Sequence, residues 1–513
     1  MNQLKIASGL LQSGRSREAL DLLIKLNRQN PDNVDVLRMA GISLSRIGQN
    51  KQAEALLRRR LELDPESAAA RNDLANVLLS SDKPDEALSL LEDFPEGVAD
   101  TARRFNLGRA YKVLGRAEDA AVPLQQVLDQ QPEHFGALIA LGDTFKALGC
   151  LEDAGKLMRR AIAANPASST AWWSLSNLKS SPYTEAEFVQ LEKLTLSGSV
   201  PAQQVYFEFA FARALEDRSR YEEAFEHYRE GNQLRQKLEP WNATEFSQWS
   251  RQIEAGFDDV QHPARRRKPG SPRPIFIVSL PRSGSTLTEQ ILAAHSQVTA
   301  ASELPWLPKL IAEESRDRNS GIAGWASEVR TEDWARLGQN YLDYSRYWYR
   351  TTPVFTDKLP GNFPYTGAIL NMFPDALVVD VSRQGMDVCW SCYRQLFVQG
   401  SGFAYDLQDL AAYWKEHERT MSYWQEREPG RVFRLQYESL VTDPEPQIRK
   451  LLEFLDLPFE ESCLRFYEAE RAVNTASAAQ VRQKINTRGI EHWRRYEKQL
   501  AGLKNALEPS NWA

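Results

Sequence analysis

The sequence predicts a multidomain protein in which an all-α solenoid of helical repeats precedes a three-layer α/β domain with a parallel sheet. Glycines and prolines recur at intervals of 34 residues in the first third of the chain, which is typical of repeat arrays. Near residue 274 the pattern changes to short apolar strands that alternate with helical stretches, which is typical of a parallel sheet. The stretch SLPRSGSTL, residues 279–287, joins a strand to a helix start, where backbone N–H groups and the helix dipole favour phosphate.

The composition is that of a globular protein with several domains. A chain of 513 residues exceeds one ordinary core, and 42% hydrophobic with 26% charged residues is usual for soluble domains. The net charge of -6 argues against general binding to nucleic acid, which needs a basic face. No stretch approaches the ~18 apolar residues of a membrane span, the N-terminus lacks a secretory pattern, and four cysteines give no disulfide framework. We therefore expect a cytoplasmic protein.

The first half is predicted to be a solenoid of helical pairs. Small or helix-ending residues recur in step: Pro31, Pro65, Pro132 and Pro166; Gly14, Gly48, Gly115 and Gly149; and Ala19, Ala53, Ala87, Ala120 and Ala154. In the unit LIALGDTFKALGCLEDAGKLMRRAIAANP, Gly142 and Ala154 stand where two helices must pack closely. These residues resemble the tetratricopeptide repeat family. We predict five to six units over residues 1–235, the last of them a more degenerate pair.

Such arrays present a concave surface that binds peptides or proteins. We therefore expect the array to bind a protein or peptide partner, with mere stabilisation or dimerisation of the second half as the alternative. Residues 236–273 are predicted to hold a capping helix and a Pro-rich linker with the basic run RRRK. The run is interpreted as solvated linker rather than as a site for acidic peptide or nucleic acid. The α/β domain is predicted over residues 274–505, with a tail at 506–513.

Four strands are predicted in the α/β domain: IFIVS, VFTDK, ALVVDVS and RVFRLQY. Ligands of parallel sheets bind beyond the carboxyl ends of the strands. In SLPRSGSTL, the backbone from Ser283 through Gly284 to Thr286 can wrap a phosphate, Ser285 and Thr286 add hydroxyl groups, and Arg282 adds a cation. The loop lacks the lysine of the nucleoside-triphosphate pattern. On this loop alone, an ordinary turn remains an alternative.

A second candidate anion site follows another strand. In VVDVSRQGMDVCWSCYRQ, Arg383 ends the strand and Ser391 comes eight residues later. Since two helical turns span about 11 Å, both side chains can reach one anion at the helix start. Cys389 and Cys392 in CWSC have the spacing of a redox pair, but helical spacing places both thiols on one face, where we interpret them as packing residues.

Together, the two candidate sites resemble those of the sulfotransferase superfamily, in the branch that includes tyrosylprotein sulfotransferases and bacterial proteins that fuse tetratricopeptide repeats to such a domain. The resemblance implies a P-loop-like sulfotransferase fold. It also implies that PRSGST, residues 281–286, binds the 5′-phosphosulfate end of 3′-phosphoadenosine 5′-phosphosulfate (PAPS). Arg383 and Ser391 match the family's contacts to the 3′-phosphate.

The same resemblance assigns further residues. Glu303 in ASELPWL is implied as the catalytic base, and Lys358 in TDKLPGN is implied, with Arg282, to stabilise the leaving group. Tyr437 and Ser477 lie where the family contacts the adenosine 3′,5′-diphosphate product. No metal is expected, because cationic side chains hold both phosphates and no zinc-like spacing is present.

The match is less close in two places. A basic residue before the late Trp493 corresponds to His492, so the 3′-phosphate contact is open between His492 and Arg488. His295 is the histidine near the loop helix, where cytosolic sulfotransferases use a histidine base, and we interpret it as a helix cap.

The sequence thus predicts a bacterial, PAPS-dependent sulfotransferase whose acceptor is a protein or peptide tyrosine. Small phenols, carbohydrates or lipids are alternative acceptors. A P-loop nucleotide kinase is a rival, but it would need the loop lysine and a magnesium-binding aspartate after a strand, whereas Asp380 lies within its predicted strand. A non-catalytic repeat scaffold is the second rival.

Overall fold

The protein divides into two compact units, Met1–Pro166 and Ala167–Ala513. The computed structural model describes residues 2–81, 83–92, 101–178, 181–265, 270–397, 400–468, 473, 475 and 480–508. Most of the basic run RRRK, at 266–268, and Ser477 lie outside these residues. The boundaries predicted from sequence, at 235, 273 and 505, stay a prediction.

The first unit consists of paired antiparallel helices. They are α1 (Asn2–Gln12), α2 (Ser16–Gln29), α3 (Val34–Arg46), α4 (Asn50–Leu63), α5 (Ala68–Ser80), α6 (Pro84–Glu92), α7 (Thr101–Val113), α8 (Ala117–Gln130), α9 (Phe135–Leu148) and α10 (Leu151–Ala164). Their turns explain the glycine period, because Gly14, Gly48, Gly115 and Gly149 all have positive φ, between 73° and 85°. A Cβ on Gly142 would lie 2.5 Å from Met158 Cε. The predicted close packing of helices is thus confirmed.

The second unit continues with helices and then forms the α/β domain. Its helices are α11 (Ser169–Ser176), α12 (Glu185–Leu196), α13 (Pro201–Asp217), α14 (Tyr221–Leu238), α15 (Ala243–Ala255), α16 (Ser285–Ala293), α17 (Trp306–Asp317), α18 (Ile322–Trp325), α19 (Thr331–Tyr344), α20 (Thr366–Met372), α21 (Gly385–Tyr393), α22 (Leu407–Arg427), α23 (Tyr437–Thr442), α24 (Pro444–Phe454) and α25 (Ala501–Leu507). Short 3₁₀ helices cover Arg346–Tyr349, Pro360–Tyr365, Gly402–Tyr405, Glu461–Glu468 and His492–Tyr496.

A parallel sheet of five strands forms the centre of the α/β domain. The strands are β1 (Arg273–Ser279), β2 (Val298–Thr299), β3 (Val354–Asp357), β4 (Leu377–Ser382) and β5 (Val432–Gln436), in the order β2-β3-β1-β4-β5. The four predicted strands are confirmed, and all pairings are parallel. The two-residue β2 was not predicted, because it is too short to produce a hydrophobic pattern.

The strand order determines where the candidate site lies. β1 is central, buried along its whole length, and pairs with β3 on one side and β4 on the other. Because parallel strands end at the same edge of a sheet, the segments that follow β1, β3 and β4 meet there. The phosphate loop, Lys358 and Arg383 are in those three segments.

Candidate active site

The phosphate loop has a backbone that requires glycine at its turn into α16. Gly284 precedes the helix with φ 104° and ψ 8°, a region that side chains disfavour. A Cβ at this position would also lie 2.5 Å from Cδ2 of Tyr437. The neighbouring Arg282 has φ 69°. Gly284 is therefore fixed both by its conformation and by the ring packed against it.

Three hydroxyl side chains of the loop are buried at the start of α16. Ser283, Ser285 and Thr286 are each at most 6% exposed. The hydroxyl of Thr286 donates to Thr475 Oγ1 at 3.2 Å. These hydroxyl groups therefore lie beside the N–H groups at the start of the helix, an arrangement that suits an anion with several acceptor oxygens.

Arg282 joins the two candidate anion sites. Its Nε donates to the Ser391 hydroxyl at 3.3 Å, and one of its terminal nitrogens donates to Gln480 Oε1 at 3.1 Å. Burial lowers the pKa of Arg282 to about 10, so the guanidinium stays charged at neutral pH. The loop after β1 and the helix after β4 thus contribute to one site, which the sequence predicted only as two separate sites.

Arg383 reaches the same place from the end of β4. Its two terminal nitrogens donate to the carbonyls of Arg282 at 2.6 Å and Gly489 at 2.5 Å. The guanidinium lies 4.6 Å from the ring centroid of Tyr437, a cation–π contact. Its buried Nε has no hydrogen-bond partner among the described residues. A buried donor on a cation is suited to an incoming anion.

Lys358 and Glu303 form an ion pair after β3. Lys358 Nζ lies 2.5 Å from Glu303 Oε1, and the side chains are 1% and 46% exposed. A buried ammonium is costly without such a partner. The carboxylate, in contrast, is accessible from solvent. The structure thus places a reachable carboxylate beside a buried cation, and their roles as base and leaving-group residue stay a prediction.

Other predicted residues contribute differently. Burial lowers the pKa of His492 to about 4, so His492 is neutral and is a poor partner for a phosphate. Arg488 is exposed and stays the other predicted candidate for that role. His295 accepts from the Gln297 backbone N–H at 3.0 Å, and its Nε2 donates to the Pro458 carbonyl at 2.9 Å. That histidine therefore has no free nitrogen for catalysis.

The cysteines of CWSC are packing residues. Cys389 and Cys392 are fully buried and unpaired with each other. Burial raises the pKa of Cys392 to about 12, whereas redox cysteines need a lowered pKa. The thiol of Cys392 donates to the carbonyl of Pro281 at 3.1 Å, inside the phosphate loop.

Asp380 has a structural partner. It lies within β4, is 1% exposed, and forms an ion pair with His417 Nε2 at 3.1 Å. Although burial opposes protonation, Asp380 raises the pKa of His417 to about 9. The Asp380 carboxylate is thus paired with a histidine inside the core and is not available to a nucleotide.

Sequence reasoning did not find four residues that contact the site. Gln480 and Thr475 contact Arg282 and Thr286, and Gly489 accepts from Arg383. They belong to an irregular late segment, which has no periodicity that could predict its partners. Glu289 is the fourth, buried on α16. Its charge within the apolar helix TLTEQILAAH was a signal that could have identified it.

Among the residues that the structure describes, no group of three or more His, Cys, Asp or Glu side chains is arranged to hold a metal ion. Within the same part of the chain, every helix is too short or too polar to cross a bilayer.

Two parts of the chain are similar to known protein families. Residues 274–461 match the model of the Sulfotransferase family, and residues 48–111 and 114–178 match the Tetratricopeptide repeat. An uncharacterized protein of Aquifex aeolicus is 34% identical over 448 residues, which cover 85% of this chain and 57% of the relative. The chain therefore spans little more than half of that relative's length.

Two further relatives are more distant. A putative protein-tyrosine sulfotransferase of Caenorhabditis briggsae is 28% identical over 237 residues, which cover 43% of this chain and 80% of that protein. The sulfotransferase domain of the Synechococcus PCC 7002 olefin synthase is 22% identical with a TM-score of 0.33, and covers 45% of this chain and 91% of the domain. By these matches the chain contains a sulfotransferase-family domain over residues 274–461, preceded by tetratricopeptide repeats.

Proposed function

We propose that the protein transfers a sulfuryl group from PAPS to an acceptor hydroxyl, and that the acceptor is a tyrosine of a protein or peptide. The observation that carries the proposal is the contact of Arg282 with Ser391 and Arg383 at one sheet edge. A donor with phosphate at one position needs only one anion site, whereas PAPS carries phosphate at both the 3′ and the 5′ position of its ribose. Two joined anion sites therefore favour PAPS over a donor whose phosphates form a single chain.

The proposed donor contacts follow from these positions. The loop from Arg282 to Thr286 would hold the 5′-phosphosulfate end, and Arg383 with Ser391 would hold the 3′-phosphate. Arg383 lowers the pKa of Arg282, in addition to the larger effect of burial. A bound dianion would offset that repulsion between the two cations. Tyr437 would contact the adenosine.

Two predicted donor contacts stay predictions. Ser477 is outside the described residues, and its proposed adenosine contact rests on the sequence resemblance. Arg488 is proposed ahead of His492 for the 3′-phosphate, because His492 is neutral. No metal is included in the proposal, since the guanidinium groups can hold both phosphates.

In the proposed reaction, Glu303 accepts the proton of the acceptor hydroxyl as its oxygen attacks sulfur. A bond forms between acceptor oxygen and sulfur while the bond from sulfur to the bridging phosphate oxygen breaks. Lys358 and Arg282 stabilise the negative charge that develops on that leaving oxygen. PAPS supplies the activated sulfuryl group, and the protein contributes position, a base and cations.

A phenol is the acceptor that a carboxylate base favours. Its proton has a pKa near 10 and is removed more easily than that of an alkyl alcohol. The repeats support a protein or peptide acceptor, since repeat arrays bind such partners. Small phenols, carbohydrates and lipids are the alternative acceptors. A cytoplasmic, bacterial protein is part of the proposal, supported by four free cysteines and the Aquifex aeolicus relative.

The rival functions lack comparable support. A nucleotide kinase would need an available carboxylate for magnesium, and Asp380 is paired with His417. A non-catalytic scaffold would not need the accessible carboxylate of Glu303 beside the buried Lys358.

Calorimetry with adenosine 3′,5′-diphosphate and adenosine 5′-diphosphate tests the donor. We expect the 3′,5′-diphosphate to bind about tenfold or more tightly, which corresponds to ~1.4 kcal/mol. Arg383→Ala should remove most of this preference, whereas Arg449→Ala, an exposed arginine paired with Glu445 on α24, should not. Equal affinity of the unaltered protein for both nucleotides would rule out the proposed function.

A further inference from the structure

We propose that Glu289 is a positioning residue that holds the base Glu303 in place from the helix that begins at the phosphate loop. The inference rests on the proposed function, because it concerns the geometry of the same reaction. It assigns a role to a buried carboxylate that the sequence resemblance leaves without one.

Glu289 is buried on α16 and bonded to two other segments. The residue is 2% exposed. Its Oε1 accepts from the Ser302 backbone N–H at 2.9 Å and from the Thr356 hydroxyl at 2.7 Å. Ser302 directly precedes Glu303, and Thr356 lies in β3, two residues before Lys358. One carboxylate oxygen of Glu289 therefore connects α16 to the residue before Glu303 and to β3, the strand that ends just before Lys358.

The backbone beside the base needs this support. Ser302 has φ 60°, a left-handed conformation that is uncommon for residues with a side chain. Such a conformation persists only where its surroundings impose it. The Ser302 N–H donates to Glu289, and its carbonyl accepts from the Lys358 N–H at 2.8 Å. The residue is thus anchored on both sides of its α-carbon.

A second bond fixes the same segment. The Thr356 hydroxyl, which donates to Glu289, also accepts from the Ala301 backbone N–H at 3.2 Å. Ala301, Ser302 and Glu303 are consecutive, so two of the three are anchored through Glu289 and its partner. Without Glu289, the bond from the Ala301 N–H to Thr356 and the bond from the Lys358 N–H to the Ser302 carbonyl would remain, but the Ser302 N–H would lose its acceptor.

This arrangement aligns the base with the donor. α16 starts at the loop proposed to hold the sulfuryl end of PAPS, and Glu289 lies one helical turn further along. A displacement of about 1 Å between reacting groups can cost roughly 10²-fold in rate. Glu289 therefore acts on catalysis through the position of Glu303 and makes no contact with the substrate.

Substitutions can separate position from charge. Burial raises the pKa of Glu289 and Lys358 lowers it, so an effect of charge near the lysine has to be distinguished from an effect of position. Both hydrogen bonds end on one oxygen. Glu289→Gln therefore keeps an acceptor for both donors and removes the charge, whereas Glu289→Ala removes both.

The experiment measures transfer from PAPS to a short tyrosine peptide, together with calorimetry of adenosine 3′,5′-diphosphate. We expect Glu289→Ala to lower kcat by about tenfold or more, with the nucleotide Kd within about threefold. Glu289→Gln should retain most of the rate. In a Glu303→Ala background, Glu289→Ala should have little further effect, because it acts through the base.

Two more variants keep the test decisive. Glu416→Ala removes a buried carboxylate paired with Arg419 on α22, and it should lower stability without changing kcat. If Glu289→Ala does not fold, Thr356→Val replaces it, and a lowered kcat with unchanged nucleotide affinity is expected. The inference is wrong if Glu289→Ala or Thr356→Val transfers at the full rate. It is also wrong if Glu289→Ala costs the same factor with and without Glu303. Failure of the unaltered protein to prefer adenosine 3′,5′-diphosphate would instead reject the proposed function.

Discussion

At the scale of single residues, the pair of Lys358 and Glu303 combines two conflicting needs. The lysine is 1% exposed, and a buried ammonium without a partner is strongly destabilising. As the proposed base, Glu303 must nevertheless keep one carboxylate oxygen available for the proton of the acceptor. The half-exposed carboxylate can do both, since it has two oxygens and the ion pair is described for one of them.

The proposed base makes a prediction about acceptor acidity. Glu303→Ala should lower kcat with a tyrosine peptide by about 10²- to 10⁴-fold, because proton removal loses its general base. The loss should be much smaller with 4-nitrophenol, a more acidic phenol that needs less help. Steady-state transfer from PAPS to both acceptors measures the difference. An equal loss with the two acceptors would assign Glu303 a role other than that of a base.

At the scale of elements, the phosphate loop forms the turn from β1 into α16. The sequence predicted the strand, the loop and the helix, because each has a strong local pattern. It also predicted that Arg383 and Ser391 can reach the same anion, because both follow the end of one strand. It could not predict that Gln480 and Gly489 return to this loop, since an irregular segment gives no pattern from which its contacts can be inferred.

Gly284 tests the loop geometry. Gly284→Ala adds a Cβ at φ 104° and 2.5 Å from the Tyr437 ring, so it should cost about 1–3 kcal/mol of stability and weaken the binding of adenosine 3′,5′-diphosphate. Gly430→Ala is the matched control, because its Cβ would meet open space. Chemical denaturation and calorimetry measure both effects. Unchanged nucleotide affinity in Gly284→Ala would show that the loop does not hold the donor.

At the scale of the whole molecule, the helical pair α13 and α14 is part of the unit that contains the transferase sheet. Glu216 on α13 accepts from Arg394 and from the Tyr496 hydroxyl, both at 2.6 Å. Burial opposes its ionisation, but Arg394 and its other partners lower the pKa of Glu216 to about 2. Arg394 is three residues beyond Ser391, so this carboxylate supports the helix that carries a proposed phosphate contact. The sequence predicted the pair as a degenerate repeat, and local pattern alone could not reveal these distant partners.

The buried network gives a stability prediction. Glu216→Ala leaves Arg394 buried without its carboxylate and should lower the free energy of unfolding by about 3–5 kcal/mol. Glu226→Ala, on the exposed face of α14 and paired with Arg229, should have little effect. Denaturant titration of both variants measures the contrast. Similar stability of the two variants would show that the Glu216 network does not hold α13 to the transferase.

The thiol of Cys392 donates to the carbonyl of Pro281, so its chemical reactivity can report on the phosphate loop. The thiol is fully buried, so an alkylating reagent can reach it only while the surrounding structure is open. Cys150, in contrast, is exposed and reacts at all times. The ratio of the two labelling rates therefore measures how often the loop opens. A bound nucleotide should lower the labelling rate of Cys392 and leave that of Cys150 unchanged. The ratio of the two rates would therefore report nucleotide binding even before any acceptor is known.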